Sequence, residues 1–239
     1  MADAPSVGDL IAAENGRWSF DGSVSATFDD HVSKSVPLYA IGHDLVAKMS
    51  DYFLQPGSVC YDLGCSTGAL TMTLAERNAD RDVRVIGIDP VASMLDQARV
   101  RAADQPNVEL IEASVLDVDL EPADLVVAYY TQQFVSPRHR QQFVDKIYEA
   151  LNWGGAYLLF EKVRAPDARF QDMMSGIYTD YKIDRGYSSD EIVGKARSLK
   201  GVLEPFSTQG NIDLLGRAGF VDVMSIMKYV CFEGFLAIK

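Results

Sequence analysis

One stretch limits the possible folds more than any other. A short apolar run, Val59-Cys60-Tyr61, enters Asp62-Leu63-Gly64-Cys65-Ser66-Thr67-Gly68, and helix-spaced apolar residues follow at Leu70, Leu74 and Ala75. A strand, a glycine-bearing turn and a helix in immediate succession open a βαβ unit. The alternation then continues. Val83–Ile88 reads as a strand closed by Asp89-Pro90, residues 91–101 as a helix, 108–111 and 123–128 as strands, and 138–151 as a helix. Asn152-Trp153-Gly154-Gly155 then turns the chain into a strand over 156–160. A helix over 211–218 and strands over 220–226 and 230–238, turning at Lys228-Tyr229, read as a closing antiparallel hairpin. The pattern predicts an α/β fold: a doubly wound, mostly parallel seven-stranded sheet with helices on both faces.

Two segments stand outside the alternation. Leu38, Ile41, Leu45, Val46, Met49 and Phe53 recur at helical spacing before Pro56-Gly57, so residues 1–55 read as an N-terminal helical cap. After Val163, residues 165–205 read as a helical insertion over the ligand edge of the sheet, with Tyr178, Tyr181 and Tyr187 packing it down. Met173, Met174, Met224 and Met227 read as core. All 239 residues form one domain, and a 48% apolar content suffices for its core.

Charge narrows the partners. Asp plus Glu outnumber Lys plus Arg by 34 to 22, a net charge of −12 that repels nucleic acid and anionic lipid. Arg138-His139-Arg140 is the one compact basic triplet, and after Pro137 it reads as a solvated first helical turn. Three cysteines, Cys60, Cys65 and Cys231, lack paired spacing, which argues against a disulfide scaffold or a zinc site, so no metal is expected. No apolar run approaches the ~20 residues of a membrane span, and Met1-Ala2-Asp3-Ala4-Pro5 opens no signal peptide. These features predict a cytoplasmic chain.

The turn itself points to a nucleotide. Gly64 and Gly68 bring backbone close to a ligand at a helix start. Asp89, at the end of the next strand, is placed to accept both hydroxyls of a ribose. Gly64-Cys65-Ser66-Thr67-Gly68 also matches a hydrolase nucleophile elbow. That turn, however, ends the first strand, and the one histidine after it, His139, stands at a helix start. A dinucleotide site wants G-x-G-x-x-G, and Ser66 occupies the middle glycine's place.

The D-L-G-C-S-T-G turn with Ile88-Asp89-Pro90 resembles the class I S-adenosylmethionine-dependent transferases. From Trp18 to Lys239 the chain is similar to one branch, the carboxy-S-adenosylmethionine synthases. The similarity runs through Trp18-Ser19-Phe20-Asp21, Ser35-Val36-Pro37-Leu38-Tyr39, Tyr61 to Ser66, Gln133-Phe134, Asp145-Lys146-Ile147-Tyr148, Glu161-Lys162, Gly186-Tyr187-Ser188 and Ala196-Arg197-Ser198. The resemblance implies a homodimer that moves a carboxyl group from prephenate to the methyl carbon of S-adenosylmethionine, in service of tRNA wobble-uridine modification. It implies cofactor contacts from Tyr39, Asp62, Gly64, Cys65, Ser66, Gly68, Asp89 and Pro90. Arg197 would hold the carboxylate of carboxy-S-adenosylmethionine, reaching across the dimer, through two parallel hydrogen bonds.

Two positions depart from the pattern. Ser114, followed by Val115, replaces an Asp that meets the adenine amine, and Tyr129 replaces an Asn after the fourth strand. A hydroxyl accepts more weakly than a carboxylate. A tyrosine adds bulk beside the sulfonium and offers it a ring face. A conventional methyltransferase of the same branch, acting on a small molecule or modified base, and a catalytically silent nucleotide binder remain alternatives.

Overall fold

The structure is a computed structural model describing residues 6–9, 11–21 and 23–239, the side chain of Ser23 excepted. The reading made above for Met1 to Pro5 lies outside those residues. Two helices lead, α1 (Ser23–Ser35) and α2 (Tyr39–Ser50). β1 (Val59–Leu63), α3 (Ala69–Arg77), β2 (Arg84–Asp89), α4 (Ala92–Arg101), β3 (Val108–Glu112) and β4 (Ala123–Tyr129) follow. Then come α5 (Arg140–Ala150), β5 (Leu151–Lys162), α6 (Ala168–Asp184), α7 (Ser189–Ser198), α8 (Thr208–Ala218), β6 (Asp222–Tyr229) and β7 (Phe232–Ile238).

The strands form one seven-stranded sheet in the order β3-β2-β1-β4-β5-β7-β6. β7 runs antiparallel to both of its neighbours, β5 and β6, and the other pairings are parallel. β1 and β4 are almost wholly buried, as strands covered on both faces must be. On one face Phe143, Val144 and Ile147 of α5 and Leu214 and Leu215 of α8 pack on Tyr61, Leu63, Tyr157 and Leu159. On the other, Val46 of α2 and Leu70 and Leu74 of α3 pack on Cys60, Val85 and Val127. Chain order reverses between β1 and β4. In such sheets that reversal opens a crevice at the carboxyl ends of the strands.

Four details differ from the sequence expectations. β5 begins at Leu151, directly from α5, because a register shift between Ala123 and Leu125 absorbs the Gly154-Gly155 segment that reads as a turn. The closing hairpin turns at Val230-Cys231; Lys228 lies in β6 opposite Glu233, which accepts from it at 2.9 Å. Met173 and Met224 are 52% and 56% exposed, on the outer side of α6 and on the edge strand, whereas Met174 and Met227 pack against the core. Arg140 is fully buried: it donates to the carbonyls of Val135 and Gln133, each at 2.9 Å, and covers the Phe206 ring. A basic residue at the first turn of α5 thus stitches the loop after β4 to the helix instead of meeting solvent. Among the described residues no helix is long and apolar enough to cross a membrane.

Candidate functional site

A cavity of about 250 Å³ opens at the crevice. Its floor is the turn after β1. Gly64 sits at φ +74°, where a Cβ would stand 2.4 Å from the Thr131 side chain, so only glycine fits. Gly64 and Cys65 both donate their N–H to Ile88 O, at 2.7 and 3.2 Å, which binds the turn to β2. Asp89 is 5% exposed, and its carboxylate is pinned from two sides. Ser66 N donates to Oδ2 and Val91 N to Oδ1, both at 2.9 Å. Each oxygen accepts one of these bonds and has capacity left for a ligand hydroxyl. Burial raises the Asp89 carboxyl above the usual range. Burial, with Asp89 nearby, pushes Asp62 to about 6, although the Thr71 hydroxyl donates to it at 2.7 Å.

One wall is aromatic. Tyr129 packs on Tyr39 (5.1 Å between centroids), His43 (4.7 Å), Phe160 (4.7 Å) and Tyr130 (4.8 Å). Its hydroxyl donates to Tyr39 O at 2.7 Å, and Gly42 leaves it room: a Cβ there would stand 2.0 Å away. His43 Nε2 and Tyr130 Oη, both buried, find no partner among the described residues. Burial lowers His43 to about 4, so its ring is neutral near pH 7. Electron-rich ring faces in a dry wall suit a cation such as a sulfonium.

The roof comes from the helices and the end of β5. α1 is fastened over the floor by the Thr67 hydroxyl, which donates to Asp29 at 2.7 Å, and by the Arg101–Asp29 ion pair. α1 brings His31, and Lys162, Tyr178 and Lys195 close the opposite side. Lys195 donates to Ser35 Oγ at 2.6 Å and contacts His31 Nε2 at 2.5 Å; His31 Nδ1 in turn faces Asp9 at 2.7 Å. The cavity therefore has an acidic floor, an aromatic wall and a basic roof. Such a lining offers a pinned carboxylate that can accept hydroxyls and aromatic faces that suit a cation.

Of the residues singled out from sequence, Tyr39, Asp62, Gly64, Cys65, Ser66, Asp89, Pro90 and Tyr129 line this cavity. Four do not. Gly68 makes the turn into α3 at φ +78°. Ser114 hydroxyl accepts from Leu116 N at 3.3 Å in the turn after β3, and Val115 is buried in the core. Arg197 is exposed on the outer side of α7. Residues two apart on a helix point about 200° apart, so the turn that aims Lys195 inward sends Arg197 outward. Sequence reading missed His31, His43, Lys162 and Lys195. The signal available was a polar residue on an otherwise inward face: His43 within the apolar pattern of α2, and Lys162 at the end of an apolar strand.

A model of the methyltransferase domain matches residues 60–155. The structure superposes on one from Methanococcus maripaludis assigned to the S-adenosyl-L-methionine-dependent methyltransferases. The TM-score is 0.63 at 20% identity, over 93% of this chain and 95% of that one, which establishes the shared fold. The carboxy-S-adenosyl-L-methionine synthase of Campylobacter lari is 37% identical over 224 residues, 93% of this chain and 95% of that protein. That of Wolinella succinogenes is 36% identical over 225 residues, covering 93% and 94%.

The chain belongs to the carboxy-S-adenosyl-L-methionine synthase family. It is a class I transferase that uses S-adenosyl-L-methionine.

Proposed function

We propose that this chain moves a carboxyl group from prephenate to the methyl carbon of S-adenosyl-L-methionine, giving carboxy-S-adenosyl-L-methionine. One observation carries the reading: near full-length similarity, at 37% identity, to relatives bearing that synthase name. The cavity supports it. When bound, the cofactor supplies a methyl carbon activated by positive sulfur. In the transfer a C–C bond of the donor breaks and a new one forms at that carbon. The displaced methyl proton leaves with the donor's hydroxyl as water while the donor ring becomes aromatic.

The chain's own residues bind, orient and exclude water. Asp89 holds the ribose hydroxyls, and Gly64 and Cys65 keep the backbone against the nucleoside. Tyr39 and Tyr129 cover the sulfur with ring faces, and α1, with Trp18 and Phe20 before it, closes the cavity against solvent. Arg197, exposed in the single chain, is assigned the new carboxylate from across a homodimer. By the same reading the product serves wobble-uridine modification of tRNA in the cytoplasm. A net charge of −12 accords with a chain that passes on a small molecule and does not itself grip RNA.

Methyl transfer to an acceptor is the second reading. His43 favours it: it lines the cavity, its ring is neutral near pH 7 and its buried Nε2 has no partner among the described residues, although a pKa lowered to about 4 makes it a weak base. Incubating the protein with S-adenosyl-L-methionine and prephenate, then weighing the ligand released by denaturation, tests the two. A cofactor in which one carboxyl replaces one hydrogen is expected, and Arg197→Ala should lose it. Unmodified cofactor or its demethylated product alone would favour methyl transfer.

A further inference from the structure

The roof of the cavity holds more positive charge than the protein neutralises. Lys162 ends β5, lines the cavity and lies over the rings of Tyr178 (4.5 Å) and Phe232 (6.0 Å). Lys182 of α6 is buried behind the same Tyr178 ring, 4.6 Å from its centroid. Lys195 of α7 enters from the far side and lies over Trp18 (5.5 Å) and Tyr187 (5.8 Å). None of the three forms an ion pair with a carboxylate among the described residues. The acid that bears on Lys195, Asp9, is engaged by His31 at 2.7 Å and by Lys34 at 2.9 Å. Aromatic faces offset only part of the cost of burying ammonium groups. Burial and then Lys162 lower Lys182 to about 8, and burial followed by Lys182 lowers Lys195 to about 7. Such a cluster is completed by an anion.

The floor and the roof orient that anion. Asp62 and Asp89 repel a carboxylate from below, so an acid enters with its carboxylate against the lysines and its other end toward the aromatic wall. This inference rests on the carboxyl-transfer reading, in which the donor is a small acid with two carboxylates. The one that is transferred must shed its charge as its bond to the donor breaks. Pairing it with ammonium groups would stabilise the bound substrate over the transition state and slow the reaction. The carboxylate that stays on the donor has no such conflict.

We infer that Lys162 and Lys195, reinforced by Lys182, form the subsite for the donor carboxylate that is not transferred.

Phenylpyruvate keeps that carboxylate after the other has gone, so it serves as the probe. Titrated calorimetrically into the protein saturated with S-adenosyl-L-methionine, it should bind wild type. Lys162→Met and Lys195→Met should each weaken it by about tenfold or more and raise KM for prephenate more than they lower kcat. Lys162→Arg should retain most of the affinity. S-adenosyl-L-methionine binding should stay unchanged in all three. Lys162→Met removes a buried charge and should melt no lower than wild type, whereas Lys195→Met also takes away the partner of Ser35 and His31 and should melt somewhat lower while staying folded. Unchanged phenylpyruvate affinity in both Met variants, or a loss confined to the cofactor, would overturn the subsite. A wild type that carboxylates its cofactor while the Met variants bind phenylpyruvate normally defeats the subsite and leaves the reaction standing. A wild type that binds phenylpyruvate through the lysines but carboxylates nothing defeats the reaction and leaves the subsite.

Discussion

Replacing Asp89 with alanine separates ligand binding from folding more cleanly than any other substitution at the site. In the free protein the carboxylate accepts two backbone hydrogen bonds at 2.9 Å, from Ser66 and Val91. Removing it leaves both N–H groups without an acceptor, at about 1–3 kcal/mol each if they stay dry. Two effects oppose that loss. Alanine abolishes a carboxylate whose pKa is already raised by burial, and both N–H groups border a cavity that water enters. Apo stability should therefore fall by only about 1–2 kcal/mol. Binding loses far more. In the proposed assignment two ribose hydroxyls each donate to a charged acceptor, about 1.5–3 kcal/mol apiece, so affinity should fall by about 3–6 kcal/mol. That is roughly a hundredfold to ten-thousandfold. Asp89→Asn should fare little better, because its single amide oxygen satisfies one N–H and its NH₂ confronts the other. Calorimetric titration with S-adenosyl-L-methionine measures the loss, and the ligand-induced rise in Tm should vanish in parallel. A folded Asp89→Ala protein that binds the cofactor within threefold of wild type would refute the ribose assignment.

Other outcomes follow from the same geometry. Gly42→Ala should destabilise by about 1–3 kcal/mol through collision with the Tyr129 hydroxyl, and Tyr129→Asn should relieve it, read as a non-additive double-mutant cycle in Tm. Gly64→Ala should lose stability and cofactor binding together, since φ +74° and the Thr131 side chain both reject a Cβ; thermal melting and titration read the two. Glu161 is raised to about 8 by burial, against an ordinary 4.5. The folded state then holds a proton that the unfolded chain releases, so Glu161 should make stability fall as pH rises from about 4.5 to about 8. Glu161→Gln should flatten that slope in Tm measured against pH. Lys195 titrates near 7 among His31, Ser35, Tyr187, Trp18, Asp9, Lys182 and Lys162. Since an anion needs it protonated, phenylpyruvate affinity should weaken as pH rises through about 7 to 8; calorimetry at several pH values measures this.

The parallel half of the sheet was legible because buried strands such as Leu125–Ala128 are continuous apolar runs bounded by helical periodicity. The hairpin turn was misplaced for a local reason. Val230, a β-branched residue at φ +51°, forms the turn without the Gly or Asn that marks a left-handed position. The floor of the site was equally legible, since Gly64, Cys65 and Ser66 are contiguous and Asp89 ends the neighbouring strand. The roof was not. His31, Lys162 and Lys195 come from three elements far apart in sequence, and only the packing of α1 and α7 brings them together. Lys195 and Arg197 show the limit most clearly: both are basic, and which of them faces inward depends on the face α7 buries, set by Ile192 and Ser198.

The most direct test of carboxyl transfer follows the carbon itself. Prephenate labelled with heavy carbon in its ring carboxylate is incubated with the protein and S-adenosyl-L-methionine, and the nucleoside product is weighed and fragmented. The label should appear on the former methyl carbon of the cofactor, matched by an equal amount of unlabelled phenylpyruvate. Label recovered only as free carbon dioxide, with the cofactor unchanged or demethylated, would contradict the account.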